Sequence, residues 1–132
     1  MEVAPTPGVG AVVIADGRIL LIRRGRGAYA GYWAVPGGRQ RLGETMRDAV
    51  AREVLEETGL VVSVGDPVWA GDIVDDSDPP RWHYAIVDFA ATVVGGRLAA
   101  GDDADAAEWV SLDDALSYRL TPTMLDLISR IS

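Results

Sequence analysis

The chain has 132 residues, of which 48% are hydrophobic and 24% charged, a composition typical of one soluble globular domain. Its formal net charge of −8 argues against DNA or RNA polymers as partners, since these are bound by basic patches. The absence of cysteine excludes disulfides and Cys-based metal sites. No apolar run approaches membrane-spanning length, so we expect a single cytoplasmic domain over residues 1–132 without a membrane partner.

The first third of the chain predicts a β-hairpin, a loop and a short strand. Residues 8–15 are rich in Val and Ile and predict a buried strand, and Asp16-Gly17 predicts the turn of a hairpin with residues 18–23. Residues 24–32 are rich in Gly, Arg and Tyr and predict a loop before a short strand at 33–35.

A helix is predicted to follow this strand. Thr45 is suited to the N-cap, with Asp48 three residues later, and Gly59 is suited to end the helix in the left-handed conformation. Four apolar residues share a stripe that we expect to face the core, namely Met46, Ala49, Val50 and Val54.

The second half of the chain predicts two long strands separated by a loop. Residues 60–70 form the first, with a bend at 65–67, and residues 72–80 are acidic and Pro-rich and predict an exposed loop. In the second, at 82–94, the alternating pattern places Trp82, Tyr84, Ile86 and Asp88 on one face.

The remaining residues predict shorter elements. A turn at 95–96 leads to a return strand at 97–99, an acidic loop at 101–107 and a strand at 108–111. A helical turn follows at 112–116, and then a helix capped by Thr121 with the apolar stripe Met124, Leu125, Ile128 and Ile131. The order of elements predicts an α/β domain with a mixed sheet covered by two helices.

Three carboxylates of the central helix point to a metal site. Glu53, Glu56 and Glu57 are spaced i, i+3, i+4 and therefore share one face, where they repel one another unless a cation lies among them. Carboxylate oxygens are the ligands that Mg²⁺ and Mn²⁺ take, with phosphate oxygens completing the coordination. Gly37-Gly38, just before the helix, lets the backbone approach a ligand closely.

The same stretch carries a resemblance to a known family. Gly38, five residues, Glu44, seven residues and then Arg52-Glu53-Val54-x-Glu56-Glu57-x-Gly59-Leu60 resemble the signature of the Nudix hydrolases. The resemblance implies the Nudix α/β/α sandwich, a mixed β-sheet with the Nudix helix and a C-terminal helix packed on it. It also implies metal-dependent hydrolysis of the pyrophosphate bond in a nucleoside diphosphate linked to another group.

The resemblance implies roles for the residues of the signature and for one aspartate beyond it. Two or three Mg²⁺ ions, or Mn²⁺ in their place, would be held by Gly38, Glu53, Glu56, Glu57 and Asp103. Within the acidic run 102–105, the register leaves Asp102 and Asp105 open as alternatives to Asp103. Glu44 would position the glutamates, Arg52 would orient Glu53 or Glu56, and the identity of the general base is left open.

Outside the signature, the chain most resembles the short ADP-ribose pyrophosphatase branch. The resemblance lies in Arg23-Arg24, in His83-Tyr84 and in Asp102-Asp103 before Glu108-Trp109-Val110. We predict ADP-ribose as substrate, cleaved to AMP and ribose 5-phosphate. Strand alternation lets only one of Arg23 and Arg24 face the site, and we favour Arg24 for a phosphate or terminal ribose. The other predicted substrate contacts are Tyr29, Tyr32, Trp33, Gly37 and His83.

Two other functions are compatible with the sequence. Hydrolysis of nucleoside triphosphates, including oxidised nucleotides, is one, although the chain has no asparagine, which relatives with that role often place near the final helix. A catalytically silent nucleotide-binding module is the other, but such modules usually lose glutamates that this chain retains. The sequence leaves a homodimer open.

Overall fold

A seven-stranded mixed sheet forms the centre of the fold in the computed structural model, which describes residues 4–131. The strands are β1 (Thr6–Ala15), β2 (Arg18–Arg24), β3 (Trp33–Ala34), β4 (Gly37–Arg39), β5 (Leu60–Val74), β6 (His83–Gly96) and β7 (Ala104–Ser111). The helices are α1 (Met46–Thr58), α2 (Leu112–Ala115) and α3 (Pro122–Ile131). The predicted fold class, a mixed sheet covered by helices, is confirmed.

Strand β1 lies at the centre of this sheet. The strand order is β3-β2-β1-β6-β5, with β4 paired to β1 and β7 paired to β2. Strands β1 and β6 are parallel, and the other pairs are antiparallel. The predicted hairpin between β1 and β2 is confirmed, because Asp16 and Gly17 both adopt the positive φ angles that a tight two-residue turn requires.

The caps of helix α1 form as predicted. The side chain of Thr45 accepts a hydrogen bond from the backbone N–H of Asp48, which satisfies one free donor of the first turn. At the other end, Gly59 has a φ of 74° and donates its N–H to the carbonyl of Leu55. These two caps fix the length of the helix and therefore the positions of its glutamates.

Two apolar cores lie on opposite faces of the sheet. Helix α1 covers one face through Val50 and Val54, which pack with Phe89 of β6. Helix α3 covers the other through Met124, Leu127 and Ile128. Residues of β6 alternate between the two cores, as predicted. On the face covered by α3, a pocket opens next to β4.

Both predicted helix stripes contain one error. Met46 is 39% exposed, because it lies in the first turn of α1, and the buried stripe begins at Ala49. On α3, Leu125 is 55% exposed, whereas Leu127, absent from the predicted stripe, is 1% exposed. The 3.6-residue period explains the second error. Leu127 and Ile128, three and four residues after Met124, lie on its face of the helix, whereas Leu125, one residue after it, does not.

The segment after β6 also differs from its prediction. Residues 97–99 do not form a return strand. The N–H groups of Arg97, Ala99 and Gly101 donate instead to the carbonyls of Gly59, Thr58 and Glu57, which have no partner within the helix. This segment therefore connects the C-terminus of α1 to the acidic loop that follows.

Two strands have boundaries that differ from the predicted ones. Strand β5 continues to Val74, beyond the predicted end, and the predicted bend appears as register shifts around Pro67. Strand β7 begins at Ala104, inside the predicted acidic loop. Within residues 4–131, the structure has no helix long and apolar enough to cross a membrane.

Candidate active site and metal centre

Arg52 is the hub of the site. Its Nε donates to Glu44 Oε2 at 2.7 Å, and its Nη1 donates to Glu53 Oε1 at 2.7 Å and to Glu56 Oε2 at 3.2 Å. Its Nη2 donates to the carbonyl of Arg39 and to Glu44 Oε1, both at 3.0 Å. The guanidinium therefore fixes three carboxylates and one backbone oxygen, a task that needs its fork of five donors.

Glu44 joins the loop before α1 to this hub. It also accepts a hydrogen bond from the N–H of Arg41 at 3.0 Å. The Arg52 guanidinium, together with that backbone donor, lowers the pKa of Glu44 to about 2. Glu44 is therefore ionised under all ordinary conditions and anchors Arg52, consistent with the positioning role that the sequence predicts.

Three carboxylates converge beside Arg52. One oxygen each of Glu53, Glu56 and Asp102 lies within 4.8 Å of the other two, and we call these residues the carboxylate cluster. Burial raises the pKa of Glu53, and the contact with Arg52 opposes that rise. The cluster spans α1 and the loop after β6, which the backbone hydrogen bonds from Ala99 and Gly101 hold together.

Glu57 occupies a different position from its two neighbours. It is 4% exposed and its Oε1 accepts the backbone N–H of Gly37 at 2.8 Å. Burial raises its pKa to about 8, although the Gly37 donor acts in the opposite direction. Glu57 is therefore more deeply buried than the other two glutamates of the predicted face, because the last turn of α1 packs this side chain under strand β4.

Strand β4 approaches the glutamates closely because it contains two glycines. A Cβ on Gly38 would lie 2.6 Å from Glu53 Cδ, and a Cβ on Gly37 would overlap the backbone of β1. Only glycine at both positions allows β4 to pair with β1 while it lies against the glutamate side chains. The backbone of Gly38, a predicted ligand, therefore lies beside the carboxylate cluster.

The three aspartates of the acidic loop, Asp102, Asp103 and Asp105, contact different partners. Asp102, with a φ of 52°, completes the carboxylate cluster. Asp103, the residue favoured as a ligand on sequence, forms an ion pair with Arg26 at 2.5 Å, and Asp105 pairs with Arg23 at 2.5 Å. Of the three aspartates that the sequence left open, Asp102 is the one that the structure brings to Glu53 and Glu56.

A pocket of about 820 Å³ opens from the carboxylate cluster. Among the predicted substrate contacts, its wall includes Arg24, Tyr29 and Gly37. The Nε of Arg24 donates to the carbonyl of Ala28 at 2.8 Å and so fixes the loop that carries Tyr29. Asp103 also lines this pocket.

Three predicted substrate contacts lie outside the pocket wall. Tyr32 stacks against Arg119, whose guanidinium lies 4.1 Å from the ring centroid, and Trp33 packs edge-on against Tyr118. The ring of His83 lies 2.8 Å from Asp72 Oδ1. All three side chains hold neighbouring elements together in this structure, and their role in substrate binding stays a prediction.

Asp88 lines the pocket but was not among the predicted site residues. It lies in β6 between apolar neighbours, on the face shared with Tyr84 and Ile86. Its signal in the sequence was a single acidic residue within a long apolar strand. Thr121 and Thr123, at the start of α3, complete the polar groups at this end of the pocket.

The donors of the carboxylate cluster fit a hard divalent cation. All three are carboxylate oxygens. The guanidinium of Arg52 contacts Glu53, Glu56 and Glu44, and the guanidinium of Arg41 lies 3.8 Å from Glu56, so two cations face four carboxylates. Negative charge therefore remains in excess, which favours Mg²⁺ or Mn²⁺ over a softer metal.

Known proteins share both the sequence pattern and the fold. A family model described as the NUDIX domain matches residues 4–131. An ADP-ribose pyrophosphatase of Methanocaldococcus jannaschii is 39% identical over 110 residues, which are 83% of this chain and 64% of that protein. A CTP pyrophosphohydrolase of Escherichia coli is 32% identical over 127 residues, 91% of this chain and 86% of that protein.

Among solved structures, a MutT NUDIX hydrolase from Burkholderia pseudomallei superimposes with a TM-score of 0.88. It is 30% identical to this chain, and the alignment covers 98% of this chain and 99% of that one. The M. jannaschii relative is longer, since this chain spans less than two thirds of it.

Proposed function

The chain belongs to the Nudix hydrolase family, and from that premise we propose that it hydrolyses ADP-ribose to AMP and ribose 5-phosphate with the help of Mg²⁺. More generally, the substrate is a nucleoside diphosphate linked to another group, and the reaction cleaves its pyrophosphate bond. The single observation that carries the proposal is that one pocket is lined both by the carboxylate cluster and by several arginines.

The arginine wall suits a diphosphate. The molecule has a net charge of −8, yet the pocket is lined by five arginines, Arg24, Arg26, Arg39, Arg41 and Arg52. Arginine binds phosphate oxygens through paired N–H donors. A substrate with two phosphates between two riboses would therefore place its charge between the arginines and the metal site.

The carboxylate cluster would hold the metal ion, with the backbone of Gly38 and the carboxyl group of Glu57 beside it. The metal would neutralise charge on the pyrophosphate and acidify the attacking water. Arg52 keeps Glu53 and Glu56 in place without reorganisation during the reaction. A carboxylate of the site accepts the proton of the water that attacks phosphorus.

The relatives support two substrate classes. One of them is an ADP-ribose pyrophosphatase and another a CTP pyrophosphohydrolase. The second is the reason to keep nucleoside triphosphates as the competing substrate. ADP-ribose is favoured because Arg24 lies in the pocket wall, where it can contact the second ribose phosphate.

The deciding experiment compares ADP-ribose with CTP, dGTP and other triphosphates at saturating Mg²⁺. We expect ADP-ribose to have the highest kcat/KM, and hydrolysis in heavy-oxygen water to label one of the two monophosphate products. A triphosphate preferred tenfold or more over ADP-ribose would contradict the substrate assignment while leaving the family's reaction class in place.

Arg24→Ala provides the matched test of the pocket wall. We expect it to lower kcat/KM for ADP-ribose by roughly ten- to a hundredfold, the size of one charge-assisted hydrogen bond. Arg23→Ala is its control, because Arg23 pairs with Asp105 and stacks on Trp33 outside the pocket wall. Equal losses in the two variants would contradict a specific contact between Arg24 and the substrate.

A further inference from the structure

A buried carboxyl group lies in the pocket at a distance from the carboxylate cluster. Asp88 is 5% exposed, in the middle of β6. Within residues 4–131, no hydrogen bond or ion pair is found for its carboxyl group, and no side-chain oxygen sealed from solvent lacks a partner, so the Asp88 oxygens open to the pocket. A carboxyl group that has no protein partner and opens to a pocket is available to hydrogen-bond a ligand there.

The surroundings of Asp88 favour its neutral form. Burial raises its pKa to about 7. A neutral carboxyl group presents one O–H donor and one acceptor side by side, whereas a carboxylate presents acceptors only. The group is therefore suited to a partner that offers one acceptor next to one donor.

A row of glycines across the sheet makes room for the Asp88 side chain. Asp88 pairs with Gly10 of β1, and Gly10 pairs with Gly37 of β4. A Cβ on Gly10 would overlap the Asp88 carboxyl group, so glycine is required for this side chain to lie over β1. The pocket wall at this end includes the apolar Val35, Ile86 and Met124 and the hydroxyl groups of Thr121 and Thr123.

The same row sets the distance to the metal site. Two strand spacings, roughly 10 Å in total, separate the backbone of Asp88 from that of Gly37, whose N–H holds Glu57. A nucleoside spans a distance of this size between the edge of its base and its 5′-phosphate. The end of the pocket beside Asp88 therefore suits a base when the phosphates lie at the carboxylate cluster.

We propose that Asp88 is the base-reading residue of the pocket, accepting the exocyclic amino N–H of adenine or cytosine. In its neutral form it also donates to the adjoining ring nitrogen, which completes a two-bond pair along one edge of the base. The inference rests on the proposed function in taking the ligand to be a nucleotide. It goes further by naming the residue that selects amino bases.

A chemical double-mutant cycle tests this contact. The affinities of AMP and of purine riboside 5′-monophosphate, which lacks the 6-amino group, are measured by calorimetry in Mg²⁺ at pH 6.5. We expect the wild type to bind AMP about tenfold more tightly, because the analogue leaves the Asp88 acceptor unpaired. Asp88→Asn should keep that ratio, because an amide also offers a donor and an acceptor, and Asp88→Leu should reduce it to about one.

Several results would overturn the proposal. They are equal affinities in the wild type, an unchanged ratio in Asp88→Leu, absence of AMP binding at millimolar concentration, and tighter binding of GMP, which a carboxylate would favour. Because binding is measured without turnover, a failure of ADP-ribose hydrolysis with the AMP ratio intact would refute the proposed function alone. Thermal melts identify a variant that fails to fold, and Asp88→Asn and Asp88→Leu differ enough in polarity that one remains informative.

Discussion

At the scale of single residues, Arg52 shows how much a short motif leaves to geometry. The sequence predicted that it would orient Glu53 or Glu56, and the structure shows contacts with both, and with Glu44 and the Arg39 carbonyl as well. The i, i+4 spacing could indicate the contact with Glu56 only. The others depend on the path of the loop before α1, which no local pattern specifies.

Arg52→Lys should therefore act as a severe change although it keeps the charge. A lysine ammonium cannot reach the same four groups in their different directions, so we expect a 10- to 100-fold loss of Mn²⁺ affinity, measured by calorimetry. Arg47→Lys is the control, because Arg47 lies on the same helix but contacts Gly65 and the ring of Phe89. Wild-type metal affinity in Arg52→Lys would show that charge alone matters.

The buried carboxyl group of Glu57 lowers the free energy of unfolding by an amount that depends on pH. Its pKa rises on folding from an ordinary value of 4.5 to about 8, so the ionised form is disfavoured in the folded protein. The metal-free protein should therefore lose stability from this group as the pH rises from 4.5 to 8. Below 4.5, both the folded and the unfolded chain carry the neutral acid, and no penalty remains.

Glu57→Gln should remove this penalty while it keeps the acceptor for Gly37. In urea unfolding with a chelator present, we expect the free energy of unfolding of the variant to exceed that of the wild type by on the order of 5 kcal/mol at pH 9, with little difference near pH 4. Asp66→Asn is the control, because this side chain is almost fully exposed, and it should have the wild-type free energy of unfolding at each pH. A variant less stable than the wild type at pH 9 would mean that the carboxylate is structural.

At the scale of elements, the helix caps and the hairpin turn were predictable from the sequence, whereas the buried face of each helix was less predictable. Thr45, Gly59 and the Asp16-Gly17 turn follow local rules that a sequence displays directly. The burial of Leu127 in place of Leu125 depends on where α3 rests on the sheet, and the missing strand at 97–99 depends on free carbonyls at the end of α1. Such tertiary contacts are absent from a local pattern. The same holds for Asp102, whose approach to Glu53 and Glu56 requires that segment.

The C-terminus of α1 offers a prediction with an internal control. Gly59 and Gly17 both have a φ of 74°, but a Cβ on Gly59 would overlap the carbonyl oxygen of Arg97, whereas a Cβ on Gly17 meets nothing within 4 Å. We expect Gly17→Ala to cost about 1 kcal/mol from the left-handed conformation, and Gly59→Ala about 3 kcal/mol because it adds an overlap. Equal costs in urea unfolding would show that residues 97–99 move aside freely.

At the scale of the whole molecule, metal binding should be visible as stability. The carboxylate cluster joins residues 53, 56 and 102, so it exists only in the folded chain. A ligand that binds only that state stabilises it by about 2.7 kcal/mol at a hundred times its dissociation constant, which raises the Tm by several degrees. Cytoplasmic location and a homodimeric state stay predictions of the sequence.

The measurement is a thermal melt with and without millimolar Mg²⁺ at constant ionic strength. Glu56→Gln removes one carboxylate of the cluster and should show a smaller rise in Tm than the wild type. A rise of equal size in both proteins would mean that the ion acts by screening the net charge and not at this cluster.

The parallel pairing of β1 with β6 has a consequence for biosynthesis. Thr6 pairs with Tyr84, which leaves the ribosome 78 residues later, a delay of roughly 4–16 s at ordinary elongation rates. Until then, one edge of an almost wholly apolar strand has no partner, although its hairpin with β2 can form at once. A nascent chain stalled between β2 and β6 is therefore the form of this protein that most needs a chaperone.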